Sequence, residues 1–362
     1  MNFPTDFKSI LDRVQNFNPL PYAGTRNYIN GSVSYLSPYI SRSVISVADV
    51  RNQVLQHFPV NKVYKFLQEL AWREYWQRTW QAKGEAILHD LKYPQQDAEK
   101  YGMIKSVNEA CTGITAIDEH TSLLYKNGYM HNHMRMYVAA LCCNIAKAHW
   151  LAPAKWMYYY LLDADVASNH LSWQWVAGSF SNKKYYCNQE NINKYTRSSQ
   201  QQSFLDLPYE KLNRMAVPDA LSTSIKLHLT TSLPQNDLPE INLNKTVLLY
   251  NAYNLDPLWR SNEDCNRILL LEPSHFSEYP MCDQSIEFIY ALAKNIEGVQ
   301  IFCGEISELM VAYPAANFVS KAHPAFIHYP GTKDERKWMF PLVDGYYSSF
   351  SSFWKQCEKF LI

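Results

Sequence analysis

Asp163-Ala164-Asp165-Val166-Ala167-Ser168-Asn169-His170-Leu171-Ser172-Trp173-Gln174-Trp175 sets two carboxylates, an amide and two indoles within thirteen residues. Leu161-Leu162 and Val166-Ala167 flank the acids, which predicts their partial burial, and a buried carboxylate needs a partner. The natural candidate lies upstream. Met130 to Trp150 reads as one strong helix, with Met134, Val138, Leu141 and Ile145 on its apolar side and Gly128 marking the break before it. Asn132, Arg135 and Met136 share another face, so Arg135 is the expected counter-ion. Further back, Phe66 to Trp76 has helical apolar spacing, and Glu69, Trp72 and Arg73 stand at i, i+3 and i+4. A carboxylate, an indole and a guanidinium make a poor core stripe. They suit either a solvated face or a wall for an aromatic, anionic ligand.

Outward from these segments the texture divides the chain in three. Residues 1–200 read as a helical domain and 201–244 as a proline-bearing connector with short elements. Residues 245–362 read as a smaller parallel α/β domain with a C-terminal helix. Thr246–Tyr250, Arg267–Leu271, Val299–Cys303 and Asn317–Ser320 are the strand candidates, and Ser285–Asn295 is an amphipathic helix between them. No G-x-G-x-x-G fingerprint is present there.

Lys+Arg and Asp+Glu balance at 34 each, so no global positive field announces a nucleic-acid partner, and a DNA role would need a local basic patch. The N-terminus has neither the basic start nor the apolar core of a signal peptide, and no apolar run approaches the roughly 20 residues of a bilayer span. The expectation is a cytoplasmic monomer without a membrane partner. Eight cysteines are scattered without C-x-x-C spacing, which predicts reduced, structural thiols and no metal site. Aromatic residues reach 14%, and seven of the ten Trp lie between Trp72 and Trp175. Packing accounts for any single ring; such clustering also suits binding of a flat ligand or relay of electrons.

Five ordered motifs over roughly residues 20–195 resemble the flavin domain of the DNA photolyase and cryptochrome superfamily. Leu36-Ser37-Pro38-Tyr39-Ile40, preceded by Ser34 and Tyr35, resembles its phosphate-binding turn. Glu69-Leu70-Ala71-Trp72-Arg73-Glu74-Tyr75 matches E-L-x-W-R-E-[FY]. Thr112-Gly113 followed by Asp118 is similar to T-G-x-P-x-x-D. Met130-His131-Asn132-His133-Met134-Arg135-Met136 matches M-H-N-x-x-R-M. The opening stretch matches D-x-D-x-A-x-N-x-x-x-W-Q-W.

The resemblance implies an all-α FAD-binding domain followed by a Rossmann-like α/β domain, the reverse of the order usual in photolyases. A second, antenna chromophore would belong to that α/β domain, where Gly304-Glu305 stands at a strand-to-turn position. It further implies that Tyr22, Ser34, Tyr35, Leu36, Ser37 and Arg73 serve the pyrophosphate end of FAD. Asn132, Arg135, Asp163, Asp165 and Asn169 would serve the flavin and ribose. Trp150 and Trp173 would be the inner members of an electron relay, with Tyr101 or another aromatic as the outer one, since no Trp lies between Trp80 and Trp150. Glu69, Trp72, Asn132, Met136 and Trp175 would form the pocket for a flipped cyclobutane pyrimidine dimer in UV-damaged DNA. The implied activity is light-driven dimer splitting by a deoxyribodipyrimidine photo-lyase. The alternative is a cryptochrome-like blue-light receptor without repair. A flavin protein acting in the dark has little support, because no site for a hydride donor is evident. Departures include Ser43 near a position usually held by Gly, and Lys184-Tyr185-Tyr186-Cys187 in place of an Arg-bearing DNA contact. Lys183, Lys184 and Lys194 are candidate substitutes on the phosphates.

Overall fold

The structure, a computed structural model, describes residues 3–361. Its two compact units do not follow chain order. One draws on residues up to Phe17, on Ser34–Ala82 and on the chain from Thr230 onward; the other holds Asn18–Val33 and Lys83–Leu229. The sequence division at 200 and 245 therefore separates helical from α/β texture, whereas compactness groups helices of residues 34–82 with the sheet.

In the first unit β3 (Val247–Tyr250), β4 (Asn266–Leu271), β5 (Val299–Cys303), β6 (Phe318–Lys321) and β7 (Thr332–Asp334) form a parallel sheet in the order β5-β4-β3-β6-β7. β3 is buried at every position because both of its edges and both faces are covered. The sheet's first strand thus lies at its centre, a doubly wound order whose reversal point lies at that strand. In such sheets ligands sit outside the carboxyl ends of the strands at this point, and here that place is filled by the chain itself. Tyr253 stacks on His323 at 4.6 Å, with His275 and Phe326 against them, and Arg42 donates to the Ala252 carbonyl at 3.2 Å. Glu305 caps the helix Ile306–Ala312 and accepts from Ser274 N and Oγ at 2.8 and 2.7 Å, so its carboxylate is spent on structure.

The same unit contains the 24-residue helix Val60–Lys83, here called the long helix. Glu74, on its buried side, accepts from Arg78 Nε at 3.1 Å and from the backbone N–H groups of Met339 and Phe340. Arg78 donates to Phe340 O at 3.0 Å and lies 4.3 Å over the Trp338 ring. One buried ion pair thereby clamps segment 338–340 to the long helix. The C-terminal helix Phe350–Cys357 adds a second contact, with Phe350 stacked on Trp72 at 3.7 Å and 9°.

The second unit is helical apart from a two-residue antiparallel ladder between β1 (Met103–Ile104) and β2 (Ser224–Ile225). The single helix expected over Met130–Trp150 is broken. Asn132–Ala140 is α-helical, Leu141–Ile145 forms a π turn, and a new helix runs from Leu151 to Tyr160. The cause is local. Buried Asn144 donates its amide to the Val176 and Tyr185 carbonyls, and Lys147 takes a left-handed φ of 57°, which turns the chain away from the helix axis. The eight cysteines are unpaired, and burial pushes the Cys142, Cys143 and Cys187 thiols up, away from reactive thiolate. No helix among the described residues is long and apolar enough to cross a membrane.

Candidate functional site

His131 begins the helix Asn132–Ala140 by accepting from His133 N on Nδ1 at 3.2 Å. Asn132 is exposed and Arg135 and Met136 are half-buried, so the predicted polar face is the outer one, while Met134, Tyr137 and Val138 enter the core. The loop carrying Asp163 is tied beside this helix start by Leu162 N, which donates to Gly128 O at 2.8 Å. The expected ion pair follows: Arg135 Nη2 reaches both Asp163 oxygens, at 3.0 and 2.9 Å, and Arg135 Nε donates to Met130 O. Side-chain exposure of 22% and 5% makes this a partly desolvated pair, worth more than a surface one. Arg135 Nη1 makes no hydrogen bond among the described residues.

Asp165 caps the helix Val166–Ala177 by accepting from Ser168 N at 2.7 Å. Asn169, one turn in, donates to Ala154 O at 2.9 Å, which orients the amide and leaves its Oδ1 without a hydrogen-bond partner among the described residues. Trp173 is buried on this helix, and Trp175 is half-buried against Tyr185 at 6.1 Å. Tyr22 opens the short helix Tyr22–Thr25. Lys184, offered by sequence as a phosphate contact, is occupied with Asp97 at 3.0 Å and Gln96 O. Lys194 lies 5.3 Å over the Tyr195 ring.

The donor set of this unit fits a flavin edge. His131 accepts on Nδ1, so its proton sits on Nε2, a buried atom with no partner. Desolvation first, then the charges of His133 and Arg135, hold this ring at about 4 and therefore neutral. Two leftover donors, His131 Nε2–H and the Arg135 Nη1 group, with one leftover acceptor, Asn169 Oδ1, match a ring edge of alternating carbonyl oxygens and N–H groups.

In the first unit Ser34 Oγ accepts from Leu36 N at 3.4 Å within the predicted phosphate turn. Tyr35 holds a φ of 54°, and Ser37 begins the short helix Ser37–Ser41. Leu36 is a core side chain, so only its backbone can serve a ligand. Ser43 keeps a φ of 51°, the left-handed conformation that favours glycine. Glu69 pairs with Lys65 at 2.9 Å, and Trp72 gives one ring face to Phe350. Arg73 is half-buried on the long helix, and its charge is among those that depress His323.

Sequence reasoning missed what surrounds Trp150. This buried indole donates to Asp90 Oδ1 at 2.7 Å and contacts the rings of His149 at 5.6 Å and His170 at 5.9 Å. An acid in a segment without periodicity carried no signal that it would meet an indole sixty residues on.

His170 yields a prediction. Its Nδ1 hydrogen-bonds the Val166 carbonyl, Nε2 is buried without a partner, and desolvation holds it at about 4. The folded ring resists a proton that the unfolded chain accepts near 6.5. Its contribution to stability is complete above that value and is lost as pH falls toward about 4, at up to about 1.4 kcal/mol per pH unit. His170→Phe keeps the ring volume and is expected to flatten part of the fall in urea-unfolding stability between pH 6.5 and 4, leaving the parts due to the other histidines whose burial lowers their proton affinity, His131, His133, His149, His275 and His323 among them. An unchanged slope would contradict the assignment.

Residues 66–206 match the model of the FAD binding domain of DNA photolyase. A deoxyribodipyrimidine photo-lyase of Agrobacterium fabrum is 33% identical over 156 residues, covering 41% of this chain and 32% of the relative. A cryptochrome DASH of Oryza sativa subsp. japonica is 28% identical over 167 residues, covering 43% and 28%. The crystal structure of a class III photolyase from Agrobacterium tumefaciens is 29% identical, with a TM-score of 0.43 over 48% of this chain and 38% of that one. The chain spans about a third of the length of the curated relatives it matches. Residues 66–206 of this chain are therefore similar to the FAD-binding segment of DNA photolyases.

Proposed function

We propose that the chain uses FAD and light to split cyclobutane pyrimidine dimers in UV-damaged DNA. The observation that carries the flavin part is the Arg135–Asp163 pair with its leftover Nη1 donor, inside a segment of the FAD-binding type. FAD supplies electron transfer when bound; the protein's own groups bind, orient and balance charge. A guanidinium held by Asp163 offers a fixed positive end to a ring that gains negative charge on reduction, and Asn169 Oδ1 can accept a proton-bearing ring nitrogen. On this reading Ser34, Ser37 and Arg73 take the pyrophosphate by hydroxyl and charge-assisted bonds. Tyr22 and Asp165 take parts of the nucleotide. Glu69, Trp72, Asn132, Met136 and Trp175 take the flipped lesion. The relatives named as photo-lyases favour repair.

One observation favours a light receptor without repair: Phe350 occupies a face of Trp72. The test is illumination of the flavin-loaded protein with dimer-containing single-stranded DNA. Light-dependent loss of dimers supports repair. Bound FAD without loss supports the receptor, and a protein that takes up no FAD rejects both.

A further inference from the structure

The two edges of the parallel sheet are protected differently. β7, Thr332-Lys333-Asp334, is short and charged, which discourages pairing with a further strand. β5, at the other edge, reads Val299-Gln300-Ile301-Phe302-Cys303, with no charge, no proline and high strand propensity. Nothing in its own sequence guards it.

Segment 236–240 covers that edge, and it does so with side chains. Asn236 Nδ2 donates to Ile301 O, and Asn236 Oδ1 accepts from Cys303 N at 2.9 Å. One side-chain amide thus stands where the peptide group of a neighbouring strand would. Gln300 mirrors this: its Oε1 accepts from Glu240 N at 2.9 Å, and its Nε2 donates to Glu240 O at 2.8 Å. Tyr313 OH adds a tie to Pro239 O at 2.5 Å. With Pro239 in the segment and Pro234 just before it, two backbone donors of a true strand are missing.

The N–H and C=O of one strand residue point to the same side. Ile301 O and Cys303 N face Asn236, so Val299, Ile301 and Cys303 turn their peptide groups outward, while Gln300 and Phe302 turn theirs to β4. Asn236 engages only two of the outward groups. Two more, Val299 O and Ile301 N, have no hydrogen-bond partner among the described residues. These four groups are self-complementary about Ile301. In an antiparallel pair of β5 strands related by a two-fold axis, Ile301 N of each copy would donate to Ile301 O of the other. Cys303 N of each would donate to Val299 O of the other. Every one of the four groups would then be satisfied on both strands.

We propose that the β5 edge is a pairing surface for a second copy of this chain, and that the Asn236 amide keeps it shut. The segment and the second copy compete for Ile301 O and Cys303 N, so one excludes the other. The second copy engages four outward groups where Asn236 engages two. Asn236 prevails in the single chain because it is tethered beside the edge, held there by Gln300 and Tyr313, whereas a second copy must be recruited from solution. Self-association is therefore set by whether segment 236–240 is seated.

The experiment compares the full-length parent with Asn236→Ala and Tyr313→Phe by sedimentation velocity over a concentration series, with amide hydrogen exchange on the same samples. Asn236→Ala is expected to tighten self-association on the order of tenfold or more. Tyr313→Phe removes a tie of the segment without touching the edge and should shift association the same way by less. In the parent, Cys303 N–H should exchange slowly and Ile301 N–H fast. In Asn236→Ala both should become slow at concentrations where two copies associate, and both fast on dilution. Parent-like sedimentation of Asn236→Ala at every concentration overturns the proposal. So does association in which Ile301 N–H still exchanges fast, since the copies would then meet elsewhere, and so does a parent already paired through this edge. If Asn236→Ala loosens the sheet, seen as faster exchange in β3, Tyr313→Phe decides alone: unchanged association in it rejects the proposal.

Discussion

Glu74→Ala is expected to lower folding stability by about 3–5 kcal/mol, the range for breaking a buried ion pair from one side. Arg78 would keep its charge at 6% side-chain exposure with only the exposed Asp344 left to pair with it. The N–H groups of Met339 and Phe340 would lose their acceptor as well. Desolvation already raises the Glu74 carboxyl above its ordinary range, with Arg78 acting against it, so the pair is held together by mutual need and not by a net gain from charge. Glu74→Gln keeps an acceptor oxygen and should cost less, about 1–3 kcal/mol. Urea unfolding at neutral pH measures both. A loss under about 1 kcal/mol in Glu74→Ala would mean that segment 338–340 is not clamped as described.

Arg135→Ala should have the largest effect on cofactor binding. It removes the Arg135 guanidinium from Asp163, which is buried at 5% side-chain exposure, and with it the Nη1 donor that the proposed reading gives to the flavin. A lost charged hydrogen bond of about 1.5–3 kcal/mol corresponds to FAD affinity weaker by roughly 10- to 150-fold. Arg135→Lys retains the charge but not the fork that spans Met130 O and both Asp163 oxygens, so it should recover only part of the loss. Titration of apoprotein by FAD fluorescence quenching reads the affinity, and thermal unfolding without FAD separates it from stability. Parent-like affinity in Arg135→Ala would remove the anchor of the flavin reading.

Local pattern made much of this legible. Four of the five strands of the sheet announce themselves as apolar runs, three of them because strands inside a parallel sheet are buried on both faces, while Val299–Cys303 is an edge strand with only Phe302 fully buried. The fifth, Thr332-Lys333-Asp334, is a short polar edge strand, and nothing in its composition separates it from a loop. The Arg135–Asp163 pair could be read from flanking hydrophobicity and one unmatched charge. The π turn at Leu141–Ile145 could not, since its cause is Asn144 reaching carbonyls some thirty and forty residues away. Phe350 on Trp72 and Asp90 under Trp150 are likewise pairings across long sequence gaps, which periodicity does not encode.

The interleaving of the first compact unit has a consequence for biosynthesis. Phe350 follows Trp72 by 278 residues. At about 5–20 residues per second, roughly 14–56 s separate the two on the ribosome. Through that interval the long helix has neither its aromatic cover nor the Met339 and Phe340 N–H groups that Glu74 holds. A nascent chain stalled anywhere before the last helix presents Trp72, Tyr75 and Trp76 to the cell's folding machinery as an open aromatic surface. Premature termination in this gene would therefore yield chaperone clients and protease substrates, not a shortened flavin protein.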